Sequence, residues 1–265
     1  MNRRGVFLVD VLTSCIAILL ATCIAYNVAS VGKRVYFASL EMSAQELGNR
    51  LLTSRLGLPA IDLRRGIGAG AHMAEMLTEQ SRCVGLPLYV DESSALTIAQ
   101  LHTRVRRVHR KRPLDLVIVD YLQLLKGIAY RGSNRTQEVA EISGGLKAIA
   151  KELHVPVLAL SQLNRATETR DDKRPHLADL RDSGAIEQDA DVVMFVHRPA
   201  YYLEREQPSP LDVERSRAWE RHMAAAKGRA EIIIAKHRNG PTGISELAFD
   251  ETTMTFSSLV GSCHA

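Results

Sequence analysis

The sequence predicts an α/β fold, a mainly parallel β-sheet sandwiched by α-helices. Three observations carry that prediction. Apolar runs of four to six residues alternate with amphipathic stretches along most of the chain, which is the rhythm of parallel strands joined by helices. Apolar residues make up 46% of the 265 positions, enough for a sizeable core, and charged residues 24%, which argues against a mainly disordered chain. The runs are too short for a parallel-sheet strand to be confused with a membrane span, with one exception discussed below.

The elements follow in order. Val35 to Ser39 reads as a strand, and Ser43 with Glu46 as a capping box that opens a helix through Leu56. Pro87 to Val90 is a short strand ending at Asp91 and Glu92. Thr97 with Gln100 is a second capping box, and Ile98, Leu101, Val105 and Val108 then share one helix face. Leu116 to Val119 is a buried strand closed by Asp120. Val139, Ile142, Leu146, Ile149 and Leu153 step by three and four, the clearest helix in the chain. Val155 to Leu160, Val192 to Val196 and Ile232 to Ala235 are three more strands. Tyr130 to Gln137 reads as an exposed loop. Tyr201 to Lys227 reads as a charged surface excursion with a polar helix from Val213 to Ala226.

Val11 to Tyr26 is the exception. It is almost wholly apolar and follows Arg3 and Arg4, the order of a signal peptide's charged start and apolar middle. A membrane-anchored protein is the reading it would support. The run is shorter than the roughly 20 residues a span needs, so a buried helix beside the sheet is expected. Cys15, Cys23, Cys83 and Cys263 are widely spaced with no C-x-x-C pair, which argues against a zinc site or disulfide framework and fits a cytoplasmic, reducing setting. A net charge of +4 permits a polyanionic partner without requiring one.

In open parallel sheets, ligands gather beyond the carboxyl ends of the strands. The residues at or just beyond these ends are Glu41, Asp120, Gln162, Arg198 and Lys236, a polar set suited to phosphate and a metal ion. Leu116 to Asp120 has the form of a Walker B strand, in which a rigid apolar strand delivers one carboxylate to magnesium. Alone it is a weak signal, since many strands end in Asp.

The surrounding words are more specific. Ser39-Leu40-Glu41-Met42, Val119-Asp120-Tyr121-Leu122-Gln123, Ser161-Gln162-Leu163-Asn164-Arg165, the run from Asp179 to Asp191, and Lys236-His237-Arg238-Asn239-Gly240-Pro241 occur in that order. From about Ala25 to about Phe256 the chain resembles the motor domain of DnaB-type replicative DNA helicases, RecA-like ATPases. That resemblance implies domains at 1–24 (an atypical apolar segment in place of the phosphate loop), 25–258 (the motor) and 259–265 (a tail). It implies ATP and Mg2+ as cofactors. Single-stranded DNA, a homo-hexameric ring, a primase and a helicase loader are the implied partners.

By residue, Glu41 matches the catalytic carboxylate that polarises water, Asp120 the magnesium ligand and Gln162 the γ-phosphate sensor. Arg238 matches an arginine finger that reaches the neighbouring subunit's ATP, with Lys236 as its companion; both would also contact the nucleotide. Arg165 and the loop Arg181, Asp182, Ser183 and Gly184 match DNA-contacting channel loops, with Asp182 where the family commonly has Glu. Arg131 to Gln137 corresponds to a second channel segment. The basic run from Arg104 to Arg112 is expected to be a solvated helix face.

One family feature is missing. The G-x-x-x-x-G-K-[ST] loop should precede Ile24 to Ala29, where the chain has Gly5 to Cys15 without a Gly-Lys-Thr or Gly-Lys-Ser. Gly32-Lys33 is followed by Arg34, and Gly66, Gly68 and Gly70 lack a lysine. A displaced reading frame upstream is one explanation; a diverged subunit is the other. The primase-recruiting domain and the linker helix of the family are likewise not expected within these residues. The sequence therefore supports a truncated or impaired helicase motor, with a catalytically inactive DNA-binding or ring-interacting paralogue as the alternative.

Overall fold

The computed structural model describes residues 5–10, 15–65, 72–127, 134–164, 167, 170 and 172–259. Nine described strands form one sheet: β1 (Gly5–Asp10), β2 (Val35–Ser39), β3 (Leu88–Asp91), β4 (Leu116–Asp120), β5 (Val157–Gln162), β6 (Val192–His197), β7 (Arg229–His237), β8 (Gly243–Asp250) and β9 (Thr255–Ser258). Their order is β3-β2-β4-β5-β1-β6-β7-β8-β9. The six from β3 to β6 are mutually parallel, and β7, β8 and β9 continue as an antiparallel meander.

Alternation along each strand divides the core in two, because successive side chains point to opposite faces. Tyr36, Ala38, Val117, Val119, Val157, Ala159, Val193 and Phe195 pack on one face. There they meet α5 (Ile98–Lys111) through Leu101 and Val105, and α6 (Arg135–Leu153) through Ile142, Leu146 and Ile149. Val35, Phe37, Leu116, Ile118, Leu158 and Leu160 pack on the other face against α1 (Cys15–Ser30). Both faces are covered, so β2 and β4 are buried at every position.

From Cys15 onward the apolar run near the start is a buried helix, while its residues 11–14 lie outside the described residues. Ile16 to Thr22 are all buried, because α1 lies on the sheet and is covered by α2 (Ala44–Leu56) and β9. No described helix is long and apolar enough to cross a membrane. Both capping boxes form: the Ser43 hydroxyl accepts from the Glu46 N–H, and the Thr97 hydroxyl from the Gln100 N–H at 3.2 Å. α2 stops at Gly57, whose φ of 66° is a left-handed cap that glycine takes without strain.

Three expectations change. Residues 135–137 are not loop: Asn134 caps α6 and Arg135 begins it, while 128–133 lie outside the described residues. The stretch after β6 is less of an excursion than its charge suggests. α8 (Pro199–Arg205) buries Ala200 and Tyr202, and the indole N–H of Trp219 on α9 (Val213–Ala226) donates to the Leu203 carbonyl at 2.7 Å. β1, β8 and β9 are strands the pattern did not announce. β1 merges with the apolar run behind it, and the meander strands at the sheet's far edge carry few buried positions.

Candidate nucleotide site

The parallel strands aim their carboxyl ends at one rim. β2 and β4 are paired in register, with Ser39 opposite Asp120. β5 lies on the other side of β4 and ends at Gln162. Adjacent parallel strands therefore bring Glu41, Asp120 and Gln162 together, a juxtaposition their spacing along the chain does not show. The Ser39 hydroxyl donates to the Met42 carbonyl at 2.7 Å, and the Leu40 N–H to the Asp120 carbonyl at 2.8 Å. These bonds fold the β2 exit back so that the exposed Glu41 stands beside the β4 end.

Asp120 is 2% exposed, and its Oδ2 has no hydrogen-bond partner among the described residues. Burial, and then the negative charge of Glu41, push its carboxyl up to about 7, while Arg50 pulls the other way. A buried carboxylate left without a donor and beside a second acid is unfavourable. A hard cation would relieve both conditions. Magnesium commonly takes only one or two protein carboxylates and completes its shell with water and phosphate oxygens. No described cluster of three or more His, Cys, Asp or Glu could hold a metal by itself. The donor set thus fits magnesium bound with a phosphate ligand rather than an all-protein cage.

Gln123 fixes the β5 side of this rim. Its amide N–H donates to the Ser161 hydroxyl at 2.8 Å and to the Gln162 carbonyl at 3.1 Å, and its carbonyl accepts the Gln162 N–H at 3.2 Å. The Gln162 side chain stays exposed, with its amide available to a ligand. Arg50 on α2 was missed in the sequence. Its Nη1 is buried without a hydrogen-bond partner among the described residues, and its charge acts on Asp120. The available signal was its position between Leu47 and Leu51, which are both buried; an arginine there lies toward the covered side of the helix.

Two members of the strand-end set depart from expectation. Arg198 follows β6 at the same rim, but it pairs with Glu251 and stacks 4.2 Å from the Phe249 ring, a packing role. Lys236 and Arg238 lie at the opposite rim. β7 runs antiparallel to β6, and its end pairs with the beginning of β6, Lys236 opposite Val193. Both cations are held by the end of α7 (Gly184–Asp189): Lys236 donates to the Glu187 carbonyl and Arg238 to the Gln188 carbonyl. Arg238 also lies 3.5 Å from Asp191, which Lys147 approaches at 2.6 Å. Burial and the neighbouring Arg238 lower the Lys236 ammonium. The expectation of one shared rim is therefore corrected: the cations cannot serve Asp120 of their own chain.

Among the candidate DNA contacts, Arg165 lies outside the described residues. Arg181, Asp182 and Ser183 end a 3₁₀ segment (Leu177–Ser183), and Gly184 opens α7. One short helix thus joins that loop to the carbonyls holding Lys236 and Arg238.

An open parallel sheet with paired acids and an amide at its carboxyl rim is the frame of a RecA-like ATPase domain. Comparison with known proteins narrows the class. A family model described as the DnaB-like helicase C-terminal domain matches residues 14–258, and the chain belongs to that family. It is 47% identical over 236 residues to the replicative DNA helicase DnaB of Rickettsia bellii (strain RML369-C), covering 88% of this chain and 46% of that protein. It is 40% identical over 227 residues to the DnaB of Geobacillus stearothermophilus, covering 85% and 46%. The chain thus spans about half the length of the curated relatives it matches. A solved structure titled as a DnaB-like replicative helicase and its interactions with primase superposes with TM-score 0.83 at 31% identity, over 97% of this chain and 58% of the other.

Proposed function

We propose that this chain is the motor domain of a replicative DNA helicase, coupling ATP hydrolysis to movement along single-stranded DNA. The observation that carries the reading is the buried Asp120 carboxylate beside Glu41 at the carboxyl rim, whose Oδ2 has no hydrogen-bond partner among the described residues. When bound, magnesium would neutralise charge on the nucleotide phosphates; Asp120 would hold it directly or through water. Glu41, exposed and one strand away, is placed to accept the proton of an attacking water. Gln162 offers an amide that both donates and accepts, which suits sensing a phosphate oxygen. Arg50 would sit between the acids and the nucleotide.

Lys236 and Arg238, at the far rim, would reach a nucleotide held by a second copy. A ring, a hexamer by family resemblance, supplies that copy. Arg165 and the Arg181–Gly184 loop would contact DNA. A primase and a loader would be partners of the longer relatives, and the setting would be cytoplasmic. Residues 1–24 would stand in place of the phosphate-loop region, 25–258 would be the motor and 259–265 a tail.

The chain has no G-x-x-x-x-G-K-[ST] between β1 and α1, and this favours a second reading as a catalytically inactive DNA-binding or ring-interacting relative. Titration with Mg-ATP and a turnover assay separate the two. Micromolar binding with turnover that falls about 100-fold or more in Glu41→Gln supports the motor. Absent turnover, unchanged by that substitution, supports the inactive relative.

A further inference from the structure

The basic run on α5 does not behave as an ordinary solvated face. Six cations, Arg104, Arg106, Arg107, Arg110, Lys111 and Arg112, fall within nine positions, and α5 contains no acid. Two of the six are answered. Arg104 binds Asp91 at 3.0 Å, and Arg106 lies 3.4 Å from Glu152, which also takes His102. The nearby Asp115 is occupied by Lys33 and the Arg34 N–H. Arg107, Arg110, Lys111 and Arg112 are exposed and have no ion-pair partner among the described residues.

Arg107 stands three and four positions before Arg110 and Lys111, so like charges are neighbours on one helix face. Such pairs destabilise a helix by about 0.2–0.5 kcal/mol each. Attraction to the helix's C-terminal dipole answers the last turn only. A solvated face usually interleaves glutamates, and this one does not.

We propose that the carboxyl-terminal half of α5 is a second nucleic-acid contact, which grips the phosphate backbone without reading bases. Neighbouring cations about 5–6 Å apart along a helix face can meet successive phosphates of one strand. The patch contains no exposed apolar anchor, since Val105 is buried and Val108 packs on the core. Protein interfaces need such anchors at their centre, so a polyanion fits better than an acidic protein surface. α6 separates α5 from α7 on the same sheet face, so this contact is distinct from the Arg181–Gly184 loop. The choice of DNA rests on the motor reading, but the contact itself requires no nucleotide.

The test is fluorescence anisotropy of labelled oligo(dT) and of a duplex, without ATP or magnesium, across a salt series. Arg107→Ala/Arg110→Ala/Lys111→Ala is compared with Arg215→Ala/Arg217→Ala/Arg221→Ala on α9, which removes the same charge. We expect the α5 variant to bind at least tenfold more weakly near 0.1 M salt, with the slope of log K against log salt smaller by about 2. The two probes show whether the backbone preferred is single-stranded or duplex. Equal affinity and slope in the α5 variant and the unaltered chain overturn the proposal. So does an equal loss in the α9 variant, or displacement of the oligonucleotide by polyglutamate as effectively as by unlabelled oligo(dT). Binding is read apart from turnover, so loss of the motor reading would leave this result interpretable.

Discussion

Asp120 is the residue on which the motor reading turns. Its folded-state value near 7 lies above the ordinary 3.8, so between these values the folded chain binds more protons than the unfolded one. Stability must then fall as pH rises from about 4 to 7, by a few kcal/mol at most. Asp120→Asn should flatten that slope and raise the midpoint of thermal unfolding at pH 8 and, on the motor reading, abolish magnesium-dependent nucleotide binding. Thermal melts at pH 5 and pH 8 check it. A variant that melts lower at pH 8 would show that the carboxylate is satisfied in the folded state. The unfavourable placement of this side chain is what the proposed cation would relieve.

At the scale of elements, the contact between α5 and α6 turns on one glycine. A Cβ added at Gly145 would lie 2.3 Å from Cγ1 of Ile98, whereas at Gly144 it would meet nothing within 4 Å. Gly145→Ala should destabilise by about 1–3 kcal/mol through overpacking. Gly144→Ala should stabilise by up to about 1 kcal/mol through helix propensity. Urea unfolding of the two variants measures the contrast, and equal effects would mean that α5 is free to shift. α7 is the other element of consequence. It is six residues long, it begins at the candidate DNA loop, and its last carbonyls hold Lys236 and Arg238. Its two ends thus tie the candidate DNA loop to the two cations through a single turn or so of helix.

For the whole molecule, the decisive feature is that acids and cations occupy opposite rims of one sheet. On the motor reading, the reversal at β7 would make each chain a donor of cations at one end and a holder of nucleotide at the other. If the motor reading is right, Arg238→Ala should lower turnover about 1,000-fold or more with little change in nucleotide affinity. Mixing Arg238→Ala with Asp120→Asn subunits should restore part of the turnover, because an interface can then combine the intact Asp120 of one with the intact Arg238 of the other. Turnover measured against mixing ratio checks this. No recovery at any ratio would place Arg238 in the service of its own chain or of none.

Local patterns were enough for much of this architecture. The short apolar strands, the period-three-and-four helices and the two capping boxes at Ser43 and Thr97 are short-range signals, and each formed where it was expected. The family words around Glu41, Asp120 and Gln162 were equally legible, as they depend only on residue order. Other features depend on contacts between distant segments. The direction of β7 sent Lys236 to the far rim. Arg198 was drawn into packing by Glu251 and Phe249, which follow it by some fifty positions. Arg50 acts on Asp120 only because the chain folds α2 to within range of a carboxylate seventy positions later. A sequence fixes burial periodicity residue by residue, but strand direction and sheet order are settled by the cooperative covering of both sheet faces, which no single segment encodes.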